Sequence, residues 1–507
     1  IIYCKILSDI FAIVMKKRAS GILLHPTSLA GKYGMGALGN EAKAFIDFLH
    51  LAKQTYWQIL PLGPTGYGDS PYQCFSSNAG NPYLIDIDTL VNDGLITSAD
   101  IPELVVADDI RIDYGSVIDH KMGILKTAKN NFKPDGNNEY TFFLQANAHW
   151  LNDYALFMAL KEKFNKRPWY EWENDYRLRN QSVLLKETLA LKDSIEFQQF
   201  IQYVFFKQWK DIKNYANSKG VQIIGDIPIY VAMDSSDTWC NPELFQFDNN
   251  KNPVVVGGCP PDYFSETGQL WGNPIFNYHK MEEDGFAWWI NRIRASLALY
   301  DYVRVDHFRG FSGYWSIPYG EPTAVNGKWV DGPGKKLFYA IKNALGDIPI
   351  IAEDLGLITP DVTELRDHFN LPGMKILQFA FDSAESNDYI PHNYIKNCVV
   401  YTGTHDNDTV LGWYEKAKEA DQKYFLNYIH SNGSDICKDL IRVAWASVAN
   451  TAIIPMQDLL RLGGDARMNL PGTTVNNWLW RMKADDLKLE LAEELAALTK
   501  LYDRISK

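Results

Sequence analysis

The sequence predicts an α/β protein: a closed (β/α)8 barrel of the TIM type, with inserted, largely helical and loop-rich subdomains and no C-terminal β-sandwich. Two observations carry that expectation. Short apolar runs that end in polar residues recur eight times along the 507 residues, and stretches of helical periodicity lie between them. Alternating strands and helices imply a parallel sheet, and eight repeats favour closure into a barrel over an open doubly wound sheet.

The eight runs are SGILLHPTSL near 20–29, YWQILPLGP at 56–64, VQIIGDIPIYV at 221–231 and YVRVDHFRG at 302–310, followed by IPIIAEDLG at 348–356, MKILQFAFD at 374–382, CVVYTGTHD at 398–406 and AIIPMQDLL at 452–460. Between the first two, EAKAFIDFLHLAKQ sets Phe45, Ile46 and Leu49 on one helical face. FQQFIQYVFFKQWKDIKNYANSKG ends at Gly220, a residue suited to stop a helix. AWWINRIRASLALY and KKLFYAIKNALG behave likewise. Thr359, Pro360 and Glu364 mark a helix start: a capping residue, a proline in the first turn and an acid close by.

Two stretches break the alternation. Residues from about 83 to 196 are polar and helical in pattern, and residues 232–280 are rich in Pro, Gly, Asn and aromatics. A structureless loop of either length is improbable inside a compact domain, so both read as subdomains inserted after strands. The last segment, LKLELAEELAALTKLYDRI, is a helix with a Leu-rich face. A single barrel domain is therefore expected over 15–507. Residues 1–14, IIYCKILSDIFAIV, are apolar, too short to span a bilayer and without a small-residue cleavage site. They read as an extension upstream of Met15, with a degenerate signal peptide as the alternative.

Composition narrows the function classes. A hydrophobic share of 46% and a charged share of 22% are ordinary for a soluble globular protein. A net charge of −12 argues against nucleic acid or an anionic membrane as partner, since both need a basic surface. The six cysteines are scattered, with no CxxC pair and no zinc spacing, as expected of reduced thiols in the cytoplasm. GPTGYGDS lacks the lysine of a phosphate-binding loop. DND at 406–408 lacks the acidic alternation, the glycine and the distal glutamate of a calcium loop. Neither a cofactor nor a metal is expected. Aromatic residues reach 13%, with 15 Trp and 28 Tyr; they can fill a core, and they are also the flat rings that stack on sugars.

The stretch DYVRVDHFRGF at 301–311 begins as a buried strand and ends in charge. A lone Arg-x-Asp is usually a surface ion pair of little consequence. In a barrel, however, catalytic groups stand at the C-terminal ends of strands. The fourth run ends in Asp306-His307, the fifth in Glu353-Asp354 and the seventh in His405-Asp406, while the third carries Asp226. Several carboxylates converging on one rim argue for a site. Cleaving a glycosidic bond takes two of them: one protonated to serve the leaving oxygen, one ionised to attack or stabilise the sugar carbon. A neighbouring cation favours the ionised form, and burial beside other carboxylates favours the protonated one. Arg304, two residues before Asp306 and on the same side of the strand, is placed to hold Asp306 ionised.

RVDHFRG, AEDLG and GTHDND resemble the short motifs of the α-amylase clan. SGILLHPTSL, YWQILPLGPTGYGDSPYQ, GNPYLIDI, GDIPIYVAMDSSDTW, GCPPDYFSETGQLWGNPIF and PGTTVNNWLWR are similar to the amylomaltase family, the 4-α-glucanotransferases of maltose and starch metabolism. The likeness runs from about residue 16 to the C-terminus. It implies Asp306 as nucleophile, Glu353 as general acid/base and Asp406 as a third carboxylate that grips sugar hydroxyls. Arg304, His307 and His405 would line the subsite of the attacked sugar, supported by Asp226. PPDYFSETGQLW resembles a loop that closes over the glucan, with Asp262, Phe264, Gln269 and Trp271 as contacts, joined by Ser70 and Tyr72 of GDSPYQ. The reaction implied is a retaining double displacement that moves α-1,4-glucan segments to the 4-hydroxyl of glucose or of another glucan. Maltooligosaccharides would serve as donors and acceptors, without a cofactor. Two alternatives remain open at this point: a hydrolase that uses water as acceptor, and a silent glucan-binding protein.

Overall fold

The computed structural model describes residues 18–66, 68–106, 108–261, 265–382 and 387–505. The extension proposed at residues 1–14 lies outside them. Eight strands form one parallel sheet: β1 Ala19–Leu23, β2 Tyr56–Gln58, β3 Gln222–Pro228, β4 Tyr302–Asp306, β5 Ile350–Ala352, β6 Gly373–Ile376, β7 Cys398–Tyr401 and β8 Thr451–Pro455. Their spatial order is β6-β7-β8-β1-β2-β3-β4-β5, so the sheet wraps in chain order. Each strand coincides with one of the eight apolar runs, with β1, β6 and β8 beginning one residue ahead of theirs. Residues of β1, β2, β5 and β7 are buried throughout, as expected of strands covered on both faces.

The wrap is nearly complete. At the seam between β5 and β6 no ladder forms; Ala352 N–H donates to Pro372 O at 2.9 Å instead. The carboxylate of Asp354 accepts Met374 N–H at 2.7 Å just beyond it. Side chains fill the interior. Tyr401 Oη on β7 donates to Gln58 Oε1 on β2 at 2.9 Å, a bond that crosses the barrel between non-adjacent strands.

Between β2 and β3 the chain builds the helices Tyr114–Asn131, Asn138–Lys163 and Lys192–Ser218. The last of these is followed, two residues past its end, by Gly220, whose φ of 76° is one that glycine adopts without strain. A second apolar core joins this region to the segment after β3: Phe157, Leu160, Trp169 and Trp172 pack with Trp239. Thr359 does stand at the start of the helix Pro360–His368, but its side chain makes no cap bond. Its hydroxyl accepts a bond from Arg309 at 3.3 Å.

A second sheet has no counterpart in the strand pattern read from the sequence. Gln269–Pro274, Val255–Cys259, Gly313–Pro318 and Lys328–Asp331 pair antiparallel in that spatial order. Two of its strands come from the Pro- and Gly-rich stretch and two from the residues after β4. It stands at the C-terminal end of the barrel, anchored where Arg309 lies over the Trp329 ring at 3.8 Å. Among the described residues no β-sandwich follows β8; the last element is the helix Leu489–Leu501. No described helix is long and apolar enough to cross a membrane.

Candidate active site

The charged strand ends meet on one rim. On β3 and β4, Asp226 and Arg304 are register partners, so both side chains point to the same face. Arg304 is buried and forks between two carboxylates: Nη1 reaches Asp226 Oδ2 at 2.5 Å and Nη2 reaches Asp306 Oδ1 at 2.7 Å. Its Nε points at Met374 Sδ on β6, 3.4 Å away. Burial opposes the charge on Arg304, but Asp226 and Asp306 more than offset it and hold the guanidinium protonated well above its ordinary range.

Asp226 is fully buried. Burial pushes its carboxyl up, against the pull of Arg304. Tyr72 Oη donates to Asp226 Oδ2 at 2.7 Å, and burial keeps that phenol protonated, as a donor must be. The Tyr72 ring stacks on His405 with centroids 5.0 Å apart and planes 18° apart. Ser70 shapes the turn that presents Tyr72, its Oγ accepting Tyr72 N–H at 3.3 Å.

Glu353 follows β5 and faces Asp306 rather than a cation of its own. Burial first, and the negative charge of Asp306 second, raise its carboxyl to about 8, against the opposing pull of Arg304. Its two oxygens accept backbone donors: His307 N–H to Oε2 at 2.6 Å and Leu355 N–H to Oε1 at 2.9 Å. The first bond depends on local backbone. His307 has a left-handed φ of 54°, which turns the chain directly after Asp306 and aims the amide at Glu353. The imidazole of His307 is half-buried, and its loss of hydration holds it down to about 4, so it is neutral at pH 7. Its Nε2 has no protein partner.

Asp354, next in sequence, leaves the cluster. Its carboxylate pairs with Arg366 at 2.5 Å and accepts the Met374 amide at the β5–β6 seam. Adjacent residues on an extended chain project to opposite faces, which separates the two acids.

Beyond β7, His405 Nε2 lies 3.3 Å from Asp406 Oδ1. Asp406 is fixed by residues that the charge pattern did not single out. Asn469 Nδ2 donates to Asp406 Oδ1 at 2.6 Å, and the Arg467 guanidinium donates to the Asp406 carbonyl. Trp478 packs by His405 at 5.8 Å and by Tyr72 at 6.0 Å. Trp478 lies inside PGTTVNNWLWR, so the motif carried a signal; Asn469 is an uncharged residue in an unremarked loop and carried none.

In the small sheet, Gln269 Oε1 accepts Trp271 Nε1–H at 3.0 Å. The Trp271 ring meets His307 edge-on, with centroids 4.7 Å apart at 87°. That contact ties the sheet to the strand-4 turn. Asp262 and Phe264 lie outside the described residues. The structure thus gathers Asp226, Arg304, Asp306, Glu353, Tyr72, His405 and Asp406 around one cleft, with His307 and Trp271 at its edge.

Comparison with known proteins agrees with this architecture. A family model described as 4-alpha-glucanotransferase matches residues 24–487. The chain is 50% identical over 485 residues to the 4-alpha-glucanotransferase of Clostridium butyricum, covering 95% of this chain and 100% of the relative. It is 47% identical over 500 residues to that of Thermus thermophilus, covering 96% and 99%. Among solved structures, an amylomaltase from Streptococcus agalactiae in complex with acarbose superimposes with a TM-score of 0.93 at 43% identity, over 96% of this chain and 100% of that one. The chain belongs to the 4-alpha-glucanotransferase family.

Proposed function

We propose that this protein is a 4-α-glucanotransferase that transfers α-1,4-glucan segments by a retaining double displacement. One observation carries the reading: two carboxyl groups on one rim stand in opposite surroundings. Asp306 is partly exposed and paired with Arg304, while Glu353 is buried with its proton held to about 8. That is the division of labour a retaining mechanism needs.

Asp306 attacks the anomeric carbon of a bound glucan while Glu353 passes its proton to the departing glycosidic oxygen. The bond to that oxygen breaks, a glucosyl ester forms on Asp306, and the shortened chain leaves. Glu353, now ionised, takes the proton from the 4-hydroxyl of an incoming glucan or glucose, whose oxygen displaces Asp306. Two displacements retain the anomeric configuration. Arg304 neutralises Asp306 each time it is released as a carboxylate. Asp406, held by Asn469, is placed to bind sugar hydroxyls with His405. Neutral His307 offers its unpartnered Nε2 to the substrate, and Tyr72 supplies a ring at the cleft. Trp271 and Gln269 border the cleft on the side of the small sheet. No step calls on a cofactor.

Transfer differs from hydrolysis only in the acceptor, and an aligned sugar gains an effective concentration that free water lacks. Given maltotriose alone, the enzyme is expected to release glucose and build a ladder of longer maltooligosaccharides while total reducing ends stay nearly constant. A steady rise in reducing ends with no product longer than the substrate would establish water as acceptor and a hydrolase instead.

A further inference from the structure

The loop that follows β7 carries His405 and Asp406, and both of its ends are tied to one buried acid. Asp458 lies in the short helix Met456–Leu459 that follows β8. Its Oδ2 accepts Thr402 Oγ1–H at 2.6 Å, at the first residue after β7. Its Oδ1 accepts Val410 N–H at 2.8 Å, at the first residue of the helix Val410–Lys416. Thr402 and Asp458 are both almost wholly buried. Between these two ties the loop is braced internally, where Asn407 Oδ1 accepts Thr404 N–H and Oγ1–H at 2.8 and 2.9 Å. Among the described residues, the two carboxylate oxygens of Asp458 bond to Thr402 and Val410 and to none of the charged residues of the rim.

We propose that Asp458 is a positioning residue for the reaction: it staples the two ends of the 402–410 loop and so sets where His405 and Asp406 stand in the cleft. The proposal rests on the reading of Asp406 as a substrate-gripping carboxylate. A carboxylate suits the task because two acceptor oxygens meet two donors that approach from different elements. An isolated buried acid is otherwise unfavourable. Burial raises the Asp458 carboxyl to about 6 despite both bonds. A group kept at that cost, with neither of its oxygens turned to the substrate cleft, is explained by what it holds in place.

A purely structural acid would change stability, and its effect on activity would be the same whether or not Asp406 is intact. The test is a double-mutant cycle on kcat/KM for maltotriose disproportionation, using Asp458→Asn, Asp406→Asn and the double variant, with Tm measured alongside. Asp458→Asn is expected to lower kcat/KM roughly tenfold to a hundredfold in the wild-type background, because small displacements of site groups are costly. In the Asp406→Asn background it is expected to lower it by less than about twofold, the mark of two residues acting through one interaction. Thr402→Val removes one tie, keeps the shape of the side chain and is expected to give the same pattern at smaller amplitude, which covers the case of a poorly folding Asp458→Asn. Equal losses in both backgrounds, or a lower Tm with unchanged kcat/KM, would overturn the positioning role. Wild-type activity in Asp406→Asn alone would overturn the reading of Asp406 and the staple with it.

Discussion

Asp306 and Glu353 share the field of Arg304, yet their surroundings differ, and the difference predicts distinct behaviour on substitution. Asp306→Asn removes the attacking oxygen and Glu353→Gln removes the transferable proton. Each is expected to lower turnover by about three orders of magnitude or more, since groups that act as a unit do not replace one another. With a glucosyl fluoride donor, whose leaving group needs no acid, Glu353→Gln should still form the ester on Asp306 and then stall; mass spectrometry that places the sugar elsewhere contradicts the assignment. The protonation of Glu353 sets the pH response. Donor cleavage needs the protonated acid, so kcat/KM is expected to fall as pH rises past about 8. Stability follows the same proton. The folded state holds it to about 8, whereas an unfolded glutamate releases it near 4.3, so this group's contribution to stability falls as pH rises between those values. Glu353→Gln does not titrate. Its Tm should exceed that of the wild type by a margin that grows from pH 5 to pH 8, and a margin independent of pH would refute the linkage.

At the scale of elements, the barrel closes between β5 and β6 by one backbone bond, from Ala352 to Pro372, and by a side chain. Asp354 sits where a ladder bond would be, accepting the Met374 amide and pairing with Arg366. Gly373 makes room for it: a Cβ built there would come within 2.4 Å of Asp354 Oδ2. Gly373→Ala must push the carboxylate off at least one partner. A loss of about 1–3 kcal/mol is expected, the usual cost of overpacking a filled site, read as a lower Tm or a lower denaturant midpoint. An unchanged Tm would mean that the seam tolerates an opening. Activity should fall along with it, because Glu353 directly precedes Asp354 and moves with the same strand end. The turn after β4 is the other element whose conformation the site needs, since the left-handed backbone at His307 is what brings its amide to Glu353.

For the whole molecule, the described chain ends are tied together far from the cleft. Arg504 is buried and its guanidinium donates to the carbonyls of Ala19, Ala444, Trp445 and Ser447, joining the C-terminal segment to β1 and to the helix Ile436–Ala446. Arg18 repeats the device with Trp445, Ser447 and Tyr502. Arg504→Ala removes a buried charged donor and its bonds to four carbonyls, each such bond worth about 1.5–3 kcal/mol, although Arg18 still reaches Trp445 and Ser447 and the Ser447 hydroxyl still reaches Ala444. A marked drop in Tm is expected, with kcat per folded molecule unchanged because no residue of the rim touches Arg504. A loss of kcat without loss of Tm would show that the chain ends and the cleft are coupled.

The amino-acid sequence by itself determined the barrel and which charged residues end its strands. Strands such as IIGDIP and YVRVD are legible because an apolar run buried on both faces has no other stable setting, and charge at its end stands out against it. Asp306, Glu353 and Asp406 were readable as charged strand ends for that reason, and the roles proposed for them came from the resemblance of their motifs. What only the tertiary structure decided is where side chains from distant segments converge. Asp354 carries the same charge as Glu353 but serves the β5–β6 seam, because successive residues on an extended chain face opposite ways and their partners come from elsewhere. The second sheet was hidden because its strands are short, are interrupted by Gly257, Gly258 and Gly272, and find their partners only when the segment after β4 folds back antiparallel. Asn469 has no local pattern that marks it, and the motif holding Trp478 does not say what that ring meets; both reach Asp406 and His405 only because the chain after β8 crosses the mouth of the barrel. Periodicity reports which face of an element is buried, and contact between elements depends on a closure that no local stretch encodes.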